Sequence, residues 1–192
     1  MTSSATTASA NALQRRLYES SVRDPLTRAF NRAYFADRFM VETAVATRSG
    51  CEAALLMIDL DGLKQVNDRH GHLSGDRALS FVAARIAGAI RMGDVLARYG
   101  GDEFVVLAGR TSLDRALILA ERVRGSVAHL CFVAGGERIA ITVSVGVASL
   151  REVEADSQPK QALLRLADER LYSAKRAGRN CVHPAPAISA TI

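Results

Sequence analysis

The chain of 192 residues contains no tryptophan, and aromatic residues make up only 5% of it. Proteins that bind single-stranded nucleic acid stack bases on aromatic side chains, so the sequence gives no sign of such a surface. The formal net charge of +5 still indicates an anionic partner. Because the basic residues are spread along the chain, a small phosphorylated ligand fits this charge as well as a nucleic acid does. We expect no nucleic-acid partner.

Cysteine and long hydrophobic runs are also scarce. The three cysteines, Cys51, Cys131 and Cys181, are odd in number and form no C-x-x-C pair, which argues against a disulfide framework or a zinc site. The apolar stretch at 53–58 is far shorter than the roughly 20 residues that span a bilayer. The first residues lack the basic start and the apolar block of a secretory signal. We expect a cytoplasmic protein without membrane insertion.

The composition that is present, 48% hydrophobic and 23% charged residues, is sufficient for one folded domain. A continuous apolar run predicts a buried strand over 51–61, and segment 132–150 contains a Gly-Gly turn followed by strict alternation of apolar residues. Segment 62–71 predicts a helical turn with a loop. Apolar periodicity predicts four longer helices. The first ends near residue 47, and the other three cover 73–91, 112–130 and 159–177. Gly178 is the expected C-cap of the last helix.

Two short apolar segments flank the Gly-Gly pair at 100–101 and predict a β-hairpin. Strands and helices that alternate around such a hairpin indicate an α+β fold, with a mixed central sheet flanked by helices. We divide the chain into a flexible N-terminus with the stub of a helix (1–22), one domain (23–182) and a C-terminal tail (183–192).

Three carboxylates fall at the ends of predicted strands. Asp59 ends the first strand, and Asp102 and Glu103 lie on the hairpin turn. If the first strand lies beside the hairpin, these acids meet at one edge of the sheet, where oxygen ligands of this kind suit magnesium and phosphoryl transfer. Acidic residues at turns are also common as solvated side chains. Spacing alone leaves both interpretations open.

The segment that carries these acids, RYGGDEF at 98–104, resembles the signature of the GGDEF family, the diguanylate cyclases. Residues 20–182 contain three further segments similar to family motifs, in the same order: DPLTRAFNR at 24–32, DLDGLKQVNDRHGHLSGDRAL at 59–79 and ADERLYSAKRAGRN at 167–180. The chain departs from the family pattern at 28–29, with Arg-Ala for Gly-Leu, and at Leu63, where phenylalanine is common. Neither position supplies a catalytic side chain.

The resemblance implies a fold similar to nucleotidyl cyclases and the polymerase palm. It also implies condensation of two GTP molecules into cyclic di-GMP and two pyrophosphates, with Mg²⁺ or Mn²⁺ as cofactor. Each such domain holds one GTP, so activity requires a homodimer. By the same resemblance, Asp59, the Leu60 carbonyl and Asp102 bind metal. Asp102 also helps to deprotonate the attacking 3′-hydroxyl, and Glu103 supports the metal or the neighbouring half-site.

The resemblance further implies the residues that bind substrate. Asn67 and Asp76 match the family's guanine-reading pair, although Asp76 could instead cap a helix or lie in its first turn. Three basic residues match the family's phosphate ligands: Lys64, Lys175 and Arg179. Lys64 is also expected to act in catalysis. Lys175 and Arg179 are expected to share a face near the end of a helix, where cations are favourable without any ligand. The backbone N–H groups of Gly62 and Leu63 are expected to face the phosphates.

The tetrapeptide at 91–94 matches the R-x-x-D of the family's inhibitory site, which implies that Arg91 and Asp94 bind the product cyclic di-GMP. Arg122 is expected to be an additional arm. The alternative is that Arg91 and Gly93 merely end the preceding helix. For the chain as a whole, the alternative is a non-catalytic module that binds GTP or cyclic di-GMP. Retention of the acids and lysines named above favours the enzyme.

Overall fold

The computed structural model describes residues 14, 16–129, 131–153 and 158–183. Residues 16–22 are helical and are called α1. The remaining elements follow in chain order: α2 (Arg32–Ser49), β1 (Ala53–Asp61), α3 (Leu63–His70), α4 (His72–Ala89), β2 (Val95–Arg98), β3 (Glu103–Gly109), α5 (Leu113–Ala128), β4 (Cys131–Ala134), β5 (Glu137–Ala140), β6 (Thr142–Ser149), a 3₁₀ turn (Leu150–Val153), α6 (Pro159–Arg176) and β7 (Val182–His183).

The central sheet has five strands in the order β2-β3-β1-β6-β7. All neighbouring pairs are antiparallel except β6 and β7, which run parallel. The predicted mixed sheet with flanking helices is therefore confirmed. Strands β4 and β5 form a separate two-stranded sheet.

Strand β1 lies in the middle of the sheet, and its first eight residues are all buried. Alternate side chains point to opposite faces of a strand, so the two faces enter two different cores. Leu56 and Ile58 pack in the core beneath α4 and α5, whereas Leu55 and Met57 pack in the core beneath α2 and α6. Burial on both faces explains why this strand is a continuous apolar run without alternation.

Helix α6 lies unusually close to the sheet. A side chain at Gly146 of β6 would collide with the backbone of Ala167 and Leu171, so glycine is needed for this approach. The buried Arg170 guanidinium adds hydrogen bonds to the Val147 carbonyl at 2.7 Å and to the carboxylate of Glu152. These contacts hold the second half of α6 against β6 and the 3₁₀ turn that follows it.

Several predicted elements differ from the structure. Segment 62–71 contains a complete helix, α3, and segment 132–150 is split between the separate β4–β5 hairpin and β6. The alternation within β6 is confirmed, because the apolar residues of one face are buried in one core: Ile141, Val143, Val145 and Val147.

The chain ends are only partly described. The predicted helical stub agrees with the described part of α1, whereas most of the predicted flexible N-terminus and the tail beyond residue 183 lie outside the described residues. Within the described ranges, we find no helix with the length and apolar character needed to cross a membrane.

Candidate active site

The end of β1 and the Gly-Gly turn lie side by side. Asp59 pairs in register with Glu103, and the Leu60 N–H donates to the Asp102 carbonyl at 3.2 Å. The antiparallel pairing of β1 with β3 causes this approach, because it places the last residues of β1 opposite the first residues of β3. The predicted meeting of the three carboxylate-bearing positions at one sheet edge is confirmed.

Asp59 is a buried carboxylate, with 5% of the residue exposed. The Lys175 Nζ atom lies 2.8 Å from its Oδ2 atom. Burial raises the pKa of Asp59 to about 6, because removal from water disfavours the charged form. The Lys175 hydrogen bond and charge oppose this rise, and the carboxylates of Asp102 and Asp61 add to it. The site therefore contains a buried acid whose charge needs a nearby cation.

Asp61, to which the sequence analysis assigned no role, connects three parts of the site. Its carboxylate accepts hydrogen bonds from Thr142 Oγ1 at 2.8 Å and Ser144 Oγ at 2.7 Å, both on β6, and from the Asn180 N–H at 3.1 Å. It thereby links the end of β1 to the segment that follows α6. The period of two along a strand was the available signal, since it places Asp61 on the same face as Asp59.

A cavity of about 680 Å³ opens at this edge of the sheet. It brings together eight of the residues predicted for the site: Asp59, Leu60, Gly62, Leu63, Lys64, Asp102, Lys175 and Arg179. Its lining also includes Arg69 and His70 of α3 and residues 137–140 of β5, which the sequence analysis did not identify.

The expectation that Lys175 and Arg179 share a helix face is wrong. Helix α6 ends at Arg176, and Arg179 lies beyond it with a φ of 64°. Gly178, with a φ of 116°, turns the chain after the helix and directs it back toward the sheet edge. Both basic residues line the cavity, Lys175 from the last turn of α6 and Arg179 from the segment that follows the helix. Lys175 pairs with Asp59.

Glu103 is half-buried and belongs to the turn itself. A side chain at Gly100 would collide with the Glu103 carboxylate, and the Tyr99 N–H donates to the Glu103 carbonyl at 2.9 Å. Glu103 is not among the described residues that line the cavity. Its contacts stabilise the turn that carries Asp102.

Asn67 and Asp76 lie on neighbouring helices, outside the lining of this cavity. The Asn67 Oδ1 atom is buried without a hydrogen-bond partner among the described residues, and a side chain at Gly75 of α4 would collide with it. Asp76 is exposed and lines a second cavity of about 800 Å³. Helix α4 begins at His72 with Gly71 as its N-cap, so Asp76 neither caps the helix nor lies in its first turn.

Arg91 and Asp94 are engaged with each other. Arg91 donates to the Asp94 carboxylate from Nε at 2.9 Å and from its backbone N–H at 3.2 Å, and its Nη2 atom donates to Thr111 Oγ1 at 2.9 Å and to the Gly109 carbonyl. Helix α4 ends at Ala89, so Arg91 does not belong to it. Arg122 lies on α5, and it is not among the described residues of the cavity that Arg91 and Asp94 line.

Arg98, also without a predicted role, ties the turn to the start of the domain. Its guanidinium lies 3.2 Å from both carboxylate oxygens of Asp24 and donates to the Gly101 carbonyl at 2.7 Å. Burial would raise the pKa of Asp24, but hydrogen bonds from Thr27 and the charge of Arg98 outweigh burial and lower it. In the same segment Arg28 has a φ of 62°, a conformation that favours the glycine usual in the family.

Comparison with known proteins agrees with this geometry. The family model described as "Diguanylate cyclase, GGDEF domain" matches residues 21–181. Two curated relatives are the diguanylate cyclase DgcP of Pseudomonas aeruginosa, 40% identical over 84% of this chain, and the response regulator PleD of Caulobacter vibrioides, 39% identical over 85%. The chain spans 24% and 36% of the lengths of these two proteins.

Solved structures share the fold over most of the chain. The diguanylate cyclase SiaD of Pseudomonas aeruginosa, crystallised with its activator SiaC, is 37% identical with a TM-score of 0.81, covering 94% of this chain and 68% of that one. The coiled coil and GGDEF domain of DgcB from Caulobacter crescentus, in complex with c-di-GMP, is 29% identical with a TM-score of 0.80, covering 95% and 96%. The sequence motifs, the sheet edge that unites them and these matches lead to one conclusion: the chain belongs to the GGDEF domain family.

Proposed function

We propose that this protein is a diguanylate cyclase, which condenses two GTP molecules into cyclic di-GMP with release of two pyrophosphates. The observation that carries the proposal is the convergence of Asp59, Asp102 and several cationic side chains on one cavity at the end of β1. The named diguanylate cyclases among the relatives support the same reaction. The chain spans a minor part of those curated relatives, so the proposal concerns the activity of this domain.

The residues present suit a divalent cation. Asp59 is a buried carboxylate next to Asp102, and its position beside the Lys175 ammonium group shows that the site already compensates its negative charge with a cation. Magnesium usually keeps several water ligands and needs only one or two carboxylates from the protein. Asp59, Asp102 and the Leu60 carbonyl would hold Mg²⁺ or Mn²⁺, with water as the remaining ligands.

When bound, such a cation would neutralise phosphate charge and lower the pKa of the attacking hydroxyl. The protein's own groups bind and orient the triphosphate. Lys64 and Arg179 line the cavity, and Lys175 is close enough to exchange its contact with Asp59 for a phosphate oxygen. Gly62, with a φ of 76°, is the N-cap of α3, so the N–H groups of the first residues of α3, Leu63 among them, have no partner within the helix and can donate to phosphate.

Asn67 and Asp76 are proposed to read the guanine base. Guanine offers N–H donors to the Asp76 carboxylate. The Oδ1 atom of Asn67, which has no hydrogen-bond partner among the described residues, provides a second acceptor. A buried acceptor without a partner is costly unless a ligand satisfies it, so its presence supports a binding role.

In the proposed reaction the 3′-hydroxyl of one GTP attacks the α-phosphorus of another. The new O3′–phosphorus bond replaces the bond to the β-phosphate, and pyrophosphate leaves. Asp102 assists removal of the hydroxyl proton, and Lys64 stabilises the charge on the leaving phosphates. Glu103 maintains the turn that positions Asp102. Since one domain binds one GTP, two copies must face each other in a homodimer.

We further propose that cyclic di-GMP inhibits the enzyme through Arg91, Asp94 and Arg122. Arg91 carries five donors and makes contacts to Asp94 and to the 109–111 segment, so product binding would recruit its remaining N–H groups or replace some of these contacts. The complex of the related DgcB domain with c-di-GMP supports a product-binding family member.

The decisive experiment incubates the purified protein with GTP and Mg²⁺ over a range of protein concentrations and measures cyclic di-GMP and pyrophosphate. A specific activity that rises with protein concentration is expected, because the active species is a dimer. Binding of GTP or cyclic di-GMP without any product, at concentrations where the protein is dimeric, would instead indicate a non-catalytic binding module.

A further inference from the structure

The β4–β5 hairpin forms one wall of the cavity, although it is separate from the central sheet. Gly135 and Gly136 have φ values of 59° and 80°, as the two central residues of a tight hairpin turn require. Residues 137–140 of β5, directly after this turn, line the cavity. The hairpin therefore presents side chains to the site that the motif-bearing segments do not supply.

The charged groups of the cavity leave a surplus of positive charge. Two of the five lysine and arginine side chains are paired, Lys175 with Asp59 at 2.8 Å and Arg69 with Glu137 at 2.9 Å. Asp61 is engaged by hydroxyl and backbone donors. Among the described residues, the cavity's cations without a hydrogen-bond or ion-pair partner are Lys64, Arg138 and Arg179.

Asp102 is the cavity's only acidic residue whose carboxylate lacks a hydrogen-bond or ion-pair partner within the described ranges. Because Asp61 keeps its charge, five lysine and arginine side chains face four carboxylates in the cavity, and the net positive charge that results favours a polyanion. Lys64 and Arg179 are already proposed as phosphate ligands. Arg138 lines the same cavity as these two residues. Neither its spacing in the sequence nor any motif identified it as a candidate phosphate ligand.

We propose that Arg138 of β5 is a further binding residue for the triphosphate of the nucleotide, contributed by the hairpin wall. This inference rests on the proposed cyclase function for the identity of the nucleotide. A guanidinium suits this role because its planar set of N–H donors matches two phosphate oxygens at once. Arg138 is exposed in the structure, so it is available to a ligand without first breaking an internal contact.

The hairpin is held in place independently of Arg138. Phe132 of β4 is 6% exposed and packs in the core, where its ring lies 5.9 Å from that of Phe81 on α4. Glu137 adds the surface ion pair with Arg69, which contributes little to stability because both side chains are more than half exposed. Removal of the Arg138 side chain should therefore leave the fold and the hairpin intact.

The test measures binding of inorganic tripolyphosphate, together with KM and kcat for GTP. For Arg138→Ala we expect a loss of about three- to tenfold in tripolyphosphate affinity and a similar rise in KM for GTP, the size of an exposed charge-assisted contact. Arg138→Lys should restore much of the affinity, because it keeps the charge. Binding of GMP should change little, because GMP lacks the β- and γ-phosphates.

Arg115→Ala is the matched control, because Arg115 is an exposed arginine on α5 outside the cavity lining. It removes the same net charge and should leave tripolyphosphate affinity unchanged. Equal affinities of Arg138→Ala and the wild type, or the same loss in both variants, would overturn the assignment. Wild-type protein that binds tripolyphosphate in an Arg138-dependent way but forms no cyclic di-GMP would refute the cyclase and leave the Arg138 site standing.

Discussion

The ammonium group of Lys175 lies 2.8 Å from the carboxylate of Asp59, although 116 positions separate the two residues in the chain. The contact joins the last turn of α6 to the end of β1. A lysine in this position compensates the charge of a buried acid before a nucleotide arrives. On binding, the proposed cation would take over this function and free Lys175 for the phosphates. In the proposed mechanism the ion pair would therefore couple occupancy of the acidic site to the availability of Lys175 as a phosphate ligand.

Replacing Asp102 tests the acidic site directly. Asp102→Ala should lower cyclic di-GMP formation by about 100-fold or more, because it removes both a cation ligand and the proton acceptor. Asp102→Glu should retain much of the activity, since it keeps a carboxylate at the turn. Product formation measured by chromatography separates these variants. An Ala variant as active as the wild type would exclude Asp102 from the mechanism.

Replacing Asp59 tests the energetic cost of the buried carboxylate. The pKa of Asp59 rises on folding to about 6, so the folded state binds a proton more readily than the unfolded chain. The stability that Asp59 contributes is therefore complete below about pH 4 and is lost as the pH rises through 6. Asp59→Asn should be more stable than the wild type by about 2–3 kcal/mol at pH 7.5, with the difference vanishing near pH 4.

Urea unfolding of both proteins at several pH values provides the measurement for Asp59. Because the comparison is between two variants, the titration of groups that do not interact with Asp59 cancels. The Asn variant should also fail to form cyclic di-GMP. If it were less stable than the wild type at pH 7.5, the Lys175 contact would have to outweigh the cost of burial.

The pair of Arg170 and Glu152 should contribute substantially to stability. Arg170 is 5% exposed, and its Nη1 and Nη2 atoms lie 2.9 and 2.7 Å from the two oxygens of Glu152. Glu152→Gln should destabilise the protein by about 2–3 kcal/mol, because a buried guanidinium loses its counter-charge. The exposed pair of Arg165 and Glu169 is the control, and Glu169→Gln should cost less than about 0.5 kcal/mol.

The effect of Glu152→Gln should depend on pH. Burial alone would raise the pKa of Glu152, but the hydrogen bonds from Arg170 and the Ser149 N–H and the charge of Arg170 outweigh burial and lower it. The stability from this group is therefore present above about pH 4.5 and is lost as the pH falls through the lower folded pKa. A difference in the free energy of unfolding between the wild type and Glu152→Gln that stays constant from pH 7 to pH 3 would contradict this account.

Arg91 and Arg122 can be separated by their effects on stability. Arg91→Ala should relieve product inhibition and also destabilise the fold by about 1–3 kcal/mol, because the buried Asp94 carboxylate loses its partner. Arg122 is exposed on α5, so Arg122→Ala should weaken inhibition without a change in melting temperature. Turnover measured against added cyclic di-GMP tests both variants. Inhibition that is unchanged in both would leave Arg91 with a structural role only.

Local patterns in the sequence are sufficient for much of this fold. The apolar run of β1 reflects burial of its two faces in two cores, whereas the alternation in β6 and the helical periods reflect one face of each element that is buried in a core. The motifs, through their resemblance to a known family, supplied the acids and lysines of the site. The cavity that collects Asp59, Lys64, Asp102 and Lys175 agrees with them.

What the sequence determined by itself is thus the type of most elements, because this depends on residues close together in the chain. The separate motifs also indicated the residues of the acidic site, each within its own short segment. The tertiary structure alone decided that Asp61 joins β1 to β6, that Arg179 reaches the site from beyond α6, and that a separate hairpin brings Arg138 to the cavity. These relationships depend on how strands and helices pack over distances of many residues. No local period of the sequence encodes that packing.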